Sequence, residues 1–112
     1  MIIKLENLPK ISLNKWYSGG HWAKRKKMKD DYKLIIKSQF RNVLPKDKCY
    51  NVDYRFYFAK RPLDASNCVA MVKLIEDVIF EDDKFDIVKS IKISSSKGEK
   101  DYVLINILLD ID

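Results

Sequence analysis

Two groups of acidic residues flank one apolar stretch of this 112-residue chain: Asp64 on one side, and Glu81-Asp82-Asp83 on the other. Carboxylates that converge can hold Mg2+, a hard cation that prefers oxygen ligands and keeps several waters for substrate phosphates. A metal so held activates water and offsets the charge that builds up in phosphodiester hydrolysis. Eighteen positions separate Asp64 from Asp82. A helix of about 12 residues spans about 18 Å, so the two groups meet only if the acidic run folds back along a sheet. The same run also reads as a solvated turn after a helix. Between them, Lys73 can stabilise charge developing on a phosphate, or pair with Asp77 four residues on.

A basic segment is the counterpart. Lys24, Arg25, Lys26, Lys27, Lys29, Lys33 and Lys37 crowd one stretch, with Trp16, Tyr17 and Trp22 close by. Such a surface suits phosphate contacts plus stacking on unpaired bases. It suits equally a solvated helix face whose tryptophans belong to the core. His21, the single histidine, follows Gly19-Gly20 and reads as an exposed loop residue or a DNA contact. The net charge of +6 conceals an asymmetry: residues 1–60 carry 15 Lys/Arg against 5 Asp/Glu, and residues 61–112 carry 7 against 11. The basic half suits a polyanion, because each phosphate neutralised releases condensed counterions. The acidic half suits a divalent cation. Charged faces that merely keep the chain in solution account for the same numbers.

The elements that must position these groups follow from periodicity. Residues 2–6 alternate loosely and read as a short strand, with an edge position left open, and the stretch from Ser12 to Gly20 as a loop ended by Gly-Gly. Met28, Tyr32, Ile35, Ile36 and Phe40 recur at helical spacing, which predicts a helix from Trp22 to Phe40. Tyr50, Val52, Tyr54, Phe56 and Phe58 alternate with polar residues, the clearest strand in the chain. A loop through Lys60-Arg61-Pro62-Leu63-Asp64 leads to a second helix, with Ser66 or Asn67 as its cap and Cys68, Val69, Val72, Ile75, Val78 and Ile79 as its apolar set. A hairpin is expected next: a strand over 86–93, a turn at 94–100, and a strand over 102–111. In that last strand Val103, Ile105, Ile107, Leu109 and Ile111 share one face, which should be buried. The order β-α-β-α-β-β predicts a single small α/β (α+β) domain over 1–112, with two main helices on a mixed sheet.

Cys49 and Cys68 have neither CxxC spacing nor a second pair nearby, which favours reduced thiols and an intracellular, cytoplasmic protein. No basic segment with an apolar run follows Met1, and no stretch approaches the roughly 18 apolar residues of a membrane span. A soluble, unexported protein without membrane partners is expected. No Walker loop, zinc-ligand set or Ser-His-Asp arrangement is present, which disfavours nucleotide hydrolysis, zinc binding and acyl transfer.

Taken together, Arg61-Pro62-Leu63-Asp64-Ala65-Ser66-Asn67, Lys73, Glu76-Asp77 and Asp82-Asp83 resemble the RusA family of Holliday junction resolvases. There an Asp-x-Asp-Asn motif opens a helix, a Lys and an Asp follow on it, and an Asp-Asp pair comes after. Ser12-Leu13-Asn14-Lys15-Trp16-Tyr17 is similar to the family's loop before a basic helix, and the segment from 83 to 111 to its closing strands. The resemblance implies a small homodimeric endonuclease, often phage-encoded, that cuts four-way DNA junctions in recombination and repair with Mg2+ or Mn2+. It implies that Asp64, Asp82 and Asp83 are catalytic metal ligands and that Lys73 assists catalysis. Asn14, Lys15, Trp16, Lys24, Arg25, Lys26, Lys27, Arg61 and Asn67 would then contact DNA. Ser66 departs from the pattern: it stands where the family has its second motif aspartate, and a hydroxyl brings no charge. Lys73 lies three residues further along than the family's helix lysine.

Two other readings remain open. A non-catalytic junction-binding protein on the same fold fits Ser66 and the basic half. A protein-interaction module would use the aromatic strand from Tyr50 to Phe58 as its surface. If the chain dimerises, that strand or the closing hairpin is the expected contact, since each has more apolar surface than one sheet face usually exposes.

Overall fold

The computed structural model describes residues 1–18, 22–81 and 86–111, and of Tyr17 and Ser18 the backbone alone. In chain order the elements are β1 (Ile2–Glu6), α1 (Leu13–Ser18), α2 (Trp22–Gln39), β2 (Tyr50–Phe58), a 3-10 turn (Ala65–Cys68), α3 (Val69–Ile79), β3 (Val88–Lys97) and β4 (Tyr102–Leu109). The strands form one mixed sheet in the order β1-β4-β2-β3. β2 runs antiparallel to β4 and parallel to β3, so α3 is the crossover that a parallel pair requires. The fold is the mixed α+β arrangement expected.

β2 forms because its aromatic and β-branched residues alternate with polar ones, and that alternation gives it a dry face. Tyr50, Val52, Tyr54, Phe56 and Phe58 are buried beneath the helices, while Asn51, Asp53, Arg55 and Tyr57 point to the open side. Both of its edges are paired. The apolar face of the strand is therefore core, and its aromatic residues Tyr50, Tyr54, Phe56 and Phe58 are not exposed to a partner.

The expected hairpin is not formed. β3 runs on to Lys97, and β3 and β4 flank β2 instead of pairing with each other. The physical reason lies in the patterns. Val103, Ile105 and Ile107 demand an interior position, which β4 fills between β1 and β2. The Ser- and Lys-rich β3 tolerates an edge. The connection then crosses the end of β2, where Gly98 N–H donates to Phe58 O at 2.9 Å. A Cβ on Gly98 would lie 3.2 Å from that of Tyr57, a close approach that favours glycine. β4 stops at Leu109, so Leu109 and Ile111 are exposed and do not extend its buried face.

Two local corrections concern helix starts. The stretch expected to be a loop holds α1, because Ser12 Oγ accepts a hydrogen bond from Lys15 N–H and stands as its cap. The cap before α3 is Asp64, not Ser66 or Asn67, and it opens the 3-10 turn. α2 rests on the core through Tyr32 and Ile36, with the Tyr32 hydroxyl donating to Pro9 O. No helix among the described residues is long and apolar enough to cross a membrane.

Candidate functional site

The chain leaves β2 through a pinned connection. Lys10 Nζ donates to the carbonyls of Lys60 and Arg61, both at 2.9 Å, and Arg61 sits in the left-handed region at φ 46°. Leu63 O then accepts from the Ser95 hydroxyl of β3. Asp64 follows, exposed, with Oδ1 accepting from Asn67 N–H at 2.9 Å. Its second carboxylate oxygen has no hydrogen-bond partner among the described residues. Ser66 is exposed beside it, and Asn67 is half-buried.

Beneath this turn lies Cys68, fully buried. Burial pushes its thiol up to about 11; a hydrogen bond with Ser95 works the other way, and the charge of Asp64 adds to the rise. The thiol stays protonated near neutral pH and packs as a small apolar group.

Lys73 stands exposed on α3 and forms no ion pair among the described residues. It borders a shallow groove of about 260 Å3 between α3 and β3, together with Glu76, Lys89 and Ser90. Glu76 belongs to the stretch that carries the resemblance but was assigned no role from sequence. It is buried at 8% exposure, and its Oε1 accepts from the Tyr54 hydroxyl at 3.1 Å. The available signal was its position: it falls in register with Val69 and Val72 on the apolar side of α3, where an acidic residue needs a partner.

Asp82 and Asp83 lie outside the described residues. Their described neighbours are anchored at the end of the sheet where β2 begins. Glu81 N–H donates to Leu44 O at 2.9 Å, and its carboxylate accepts from Lys46 N–H at 3.1 Å. Beyond the pair, Asp86 O accepts from the Cys49 thiol, and Tyr50 N–H donates to Ile87 O. Asp64 lies at the opposite end of α3, whose 11 residues rise about 16 Å. Among the described residues no three His, Cys, Asp or Glu side chains gather as metal ligands. A divalent ion needs more than Asp64, and its other expected ligands are the two aspartates not described.

The structure does bring the acidic turn and the basic segment together. α1 packs against both the 3-10 turn and α3. Asn14 and Lys15 of α1 are exposed, while Trp16 is partly buried against the core. Arg25 of α2 donates from Nε to Trp16 O at 3.1 Å and lies 5.6 Å from the Trp16 ring centre. Trp16 is thereby committed to packing, whereas Trp22 is 72% exposed. Lys24 is exposed, and Lys26 and Lys27 pair with Asp30 and Asp31, both at 3.0 Å. Arg61 is exposed three residues before Asp64.

No protein-family model matches this chain, and no curated protein and no solved structure matches it.

Proposed function

We propose that the chain is a metal-dependent, structure-selective DNA endonuclease that resolves four-way junctions by phosphodiester hydrolysis, acting as a homodimer in the cytoplasm. The observation that carries this reading is the packing of α1 on the turn that bears Asp64. Through α1 and the Arg25–Trp16 contact, the basic start of α2 is linked to the exposed acidic turn. Lys24, Lys27, Lys15 and Arg61 are exposed there as phosphate contacts, which position DNA without reading its sequence. Asn14 and Asn67 offer amide groups beside them. Asp64 presents a carboxylate oxygen with no protein partner among the described residues. A divalent ion held by Asp64 with Asp82 and Asp83 would supply a lowered water pKa and Lewis acidity at the scissile phosphate. The Lys73 ammonium lies on α3, which follows the 3-10 turn that Asp64 opens. A dimer fits because a four-way junction needs two opposed cuts, and two-fold symmetry offers one acidic turn to each of two strands.

A second reading, a junction-binding protein without activity, is favoured by one specific observation. Ser66 replaces a charge, and Asp64 and the anchored neighbours of the acidic pair lie at opposite ends of α3.

One experiment separates the two. Wild-type protein is incubated with a labelled four-way junction and Mg2+ or Mn2+; paired cuts are expected. Asp64→Asn should abolish cleavage and leave binding intact, since asparagine caps a helix start as well as aspartate does. Mixed wild-type and Asp64→Asn dimers should nick one strand. Salt-dependent binding without any cleavage by the wild type would establish the second reading, and absence of binding would remove both.

A further inference from the structure

Three connections meet at the end of the sheet where β2 stops: residues 7–10 after β1, 59–61 after β2, and 98–101 between β3 and β4. They are tied to one another. Asn7 N–H donates to Asp101 O at 3.4 Å, Ala59 N–H donates to Asp101 Oδ1 at 2.8 Å, and Gly98 N–H donates to Phe58 O. The two Lys10 bonds to the carbonyls of Lys60 and Arg61 complete the set. Between these connections lies an open cleft of about 340 Å3, with the side chains of Lys10, Lys60 and Lys100 on its walls.

The charge on the walls is positive on balance, with Lys10, Lys60 and Lys100 against Glu99 and Asp101. Asp101 keeps its charge while its carboxylate accepts from the Ala59 N–H. Glu6, outside the cleft, accepts Lys100 at 3.3 Å and Lys4 at 3.4 Å. Lys100 first, then Lys4, holds its carboxyl below the usual carboxylate range. Glu99 is the remaining anion on the rim. Lys60 is exposed and makes no ion pair among the described residues. Lys10 is held in place by two carbonyls, and it lies 5.9 Å from the Phe58 ring centre. An ammonium has three donors, so one N–H of Lys10 is left for a ligand. Among the described residues no aromatic ring lines the cleft, so nothing there stacks on a base. Point charges without a stacking face suit phosphate oxygens.

We infer that the cleft formed by Lys10, Lys60 and Lys100 grips the sugar-phosphate backbone of duplex DNA beside the acidic turn. Arg61 continues the rim, and the same connection reaches Asp64 three residues later, so a duplex at the turn passes over the cleft. This inference rests on the DNA-binding reading proposed above and adds a contact that reading did not contain.

The test is the salt dependence of binding, measured by fluorescence anisotropy on a labelled linear duplex and a four-way junction. Each phosphate contact contributes about 0.9 to the slope of log K against log salt. Lys60→Gln with Lys100→Gln should flatten the slope by about 1.8, with little change in melting temperature because both side chains are exposed and the Lys100–Glu6 pair is a solvated one. Lys46→Gln with Lys48→Gln, in the connection that leads into β2 at the opposite end of the sheet, should leave the slope as it is. If the wild type binds DNA and the cleft variant keeps the full slope, the cleft is overturned while the proposed function stands. Equal flattening by both pairs overturns it as well. If the wild type binds neither DNA, the inference and the reading beneath it fall together.

Discussion

α2 and α3 occupy the same layer and differ in almost everything else. Eight of the 11 residues of α3 are buried, against two of the 18 in α2. α3 is the crossover between two parallel strands, so the sheet lies on one side of it and the other helices on another. Its sequence is dictated by packing: Met71, Val72, Leu74, Ile75, Val78 and Ile79 leave little room for polar groups. α2 touches the core through one stripe, Tyr32 and Ile36, and is free to carry lysines. The lesson is that function is best sought where the core does not dictate residue type. The polar exception within a packed element, here Glu76 on the Tyr54 hydroxyl, is informative for the same reason.

The largest expected effect tests this contrast directly. Ile75 is fully buried at the centre of α3. Ile75→Ala should cost about 2–5 kcal/mol, from lost transfer energy plus the cavity left behind. Leu34 of α2 is 76% exposed, and Leu34→Ala should stay within about 0.5 kcal/mol of wild type. Denaturant titrations of the two variants decide the matter. Comparable losses would mean that α2 is covered in solution, and the comparison would fail.

A second, smaller effect sharpens the dry end of α3. The Cys68 thiol is raised from its ordinary value near 9 to about 11, chiefly by burial. The folded state therefore favours the protonated thiol more than the unfolded state does. The stability this contributes is fully present below about pH 9 and is lost as pH rises from there through about 11. Thermal melts across that range should show a decline that Cys68→Ala diminishes. An identical alkaline decline in the variant would assign it to other groups.

Much of this architecture was legible. β2 and α2 were readable because their apolar residues hold one period over many positions, and β1 from a short, loose alternation. The strand order was not. Adjacent strands joined by a Ser/Lys/Gly stretch read as a hairpin, yet the choice of neighbour depends on which strand most needs an interior place, a comparison no local window makes. The acidic turn was placed correctly before α3, but its cap was misassigned. Asp64, Ser66 and Asn67 are all good caps within three residues of one another, and Leu63 O just before them is held by Ser95 on a distant strand, a contact no local window shows. The Tyr54–Glu76 contact escaped notice for a related reason: its partners are 22 positions apart and meet only across the sheet-helix interface.

The smallest expected effect concerns the surface of α2. Lys27 pairs with Asp31 one turn away at 3.0 Å, with 78% of the lysine side chain exposed. Exposed pairs of this spacing contribute about 0.3–0.5 kcal/mol, so Lys27→Gln should barely move the denaturation midpoint. Its effect on DNA should be larger in proportion. Losing one phosphate contact would flatten the salt slope by about 0.9, provided that Lys27 leaves Asp31 when DNA arrives. That exchange is cheap, because the pair is solvated and both partners keep water when it opens. Asp31→Asn offers the complementary measurement: it removes a negative charge from the same face and should tighten binding at low salt. If Lys27→Gln leaves the slope intact while Asp31→Asn still tightens binding, α2 acts through its overall field and not through this contact. If neither changes binding, the lysines of α2 are a solvated face, and its contrast with α3 is one of packing alone.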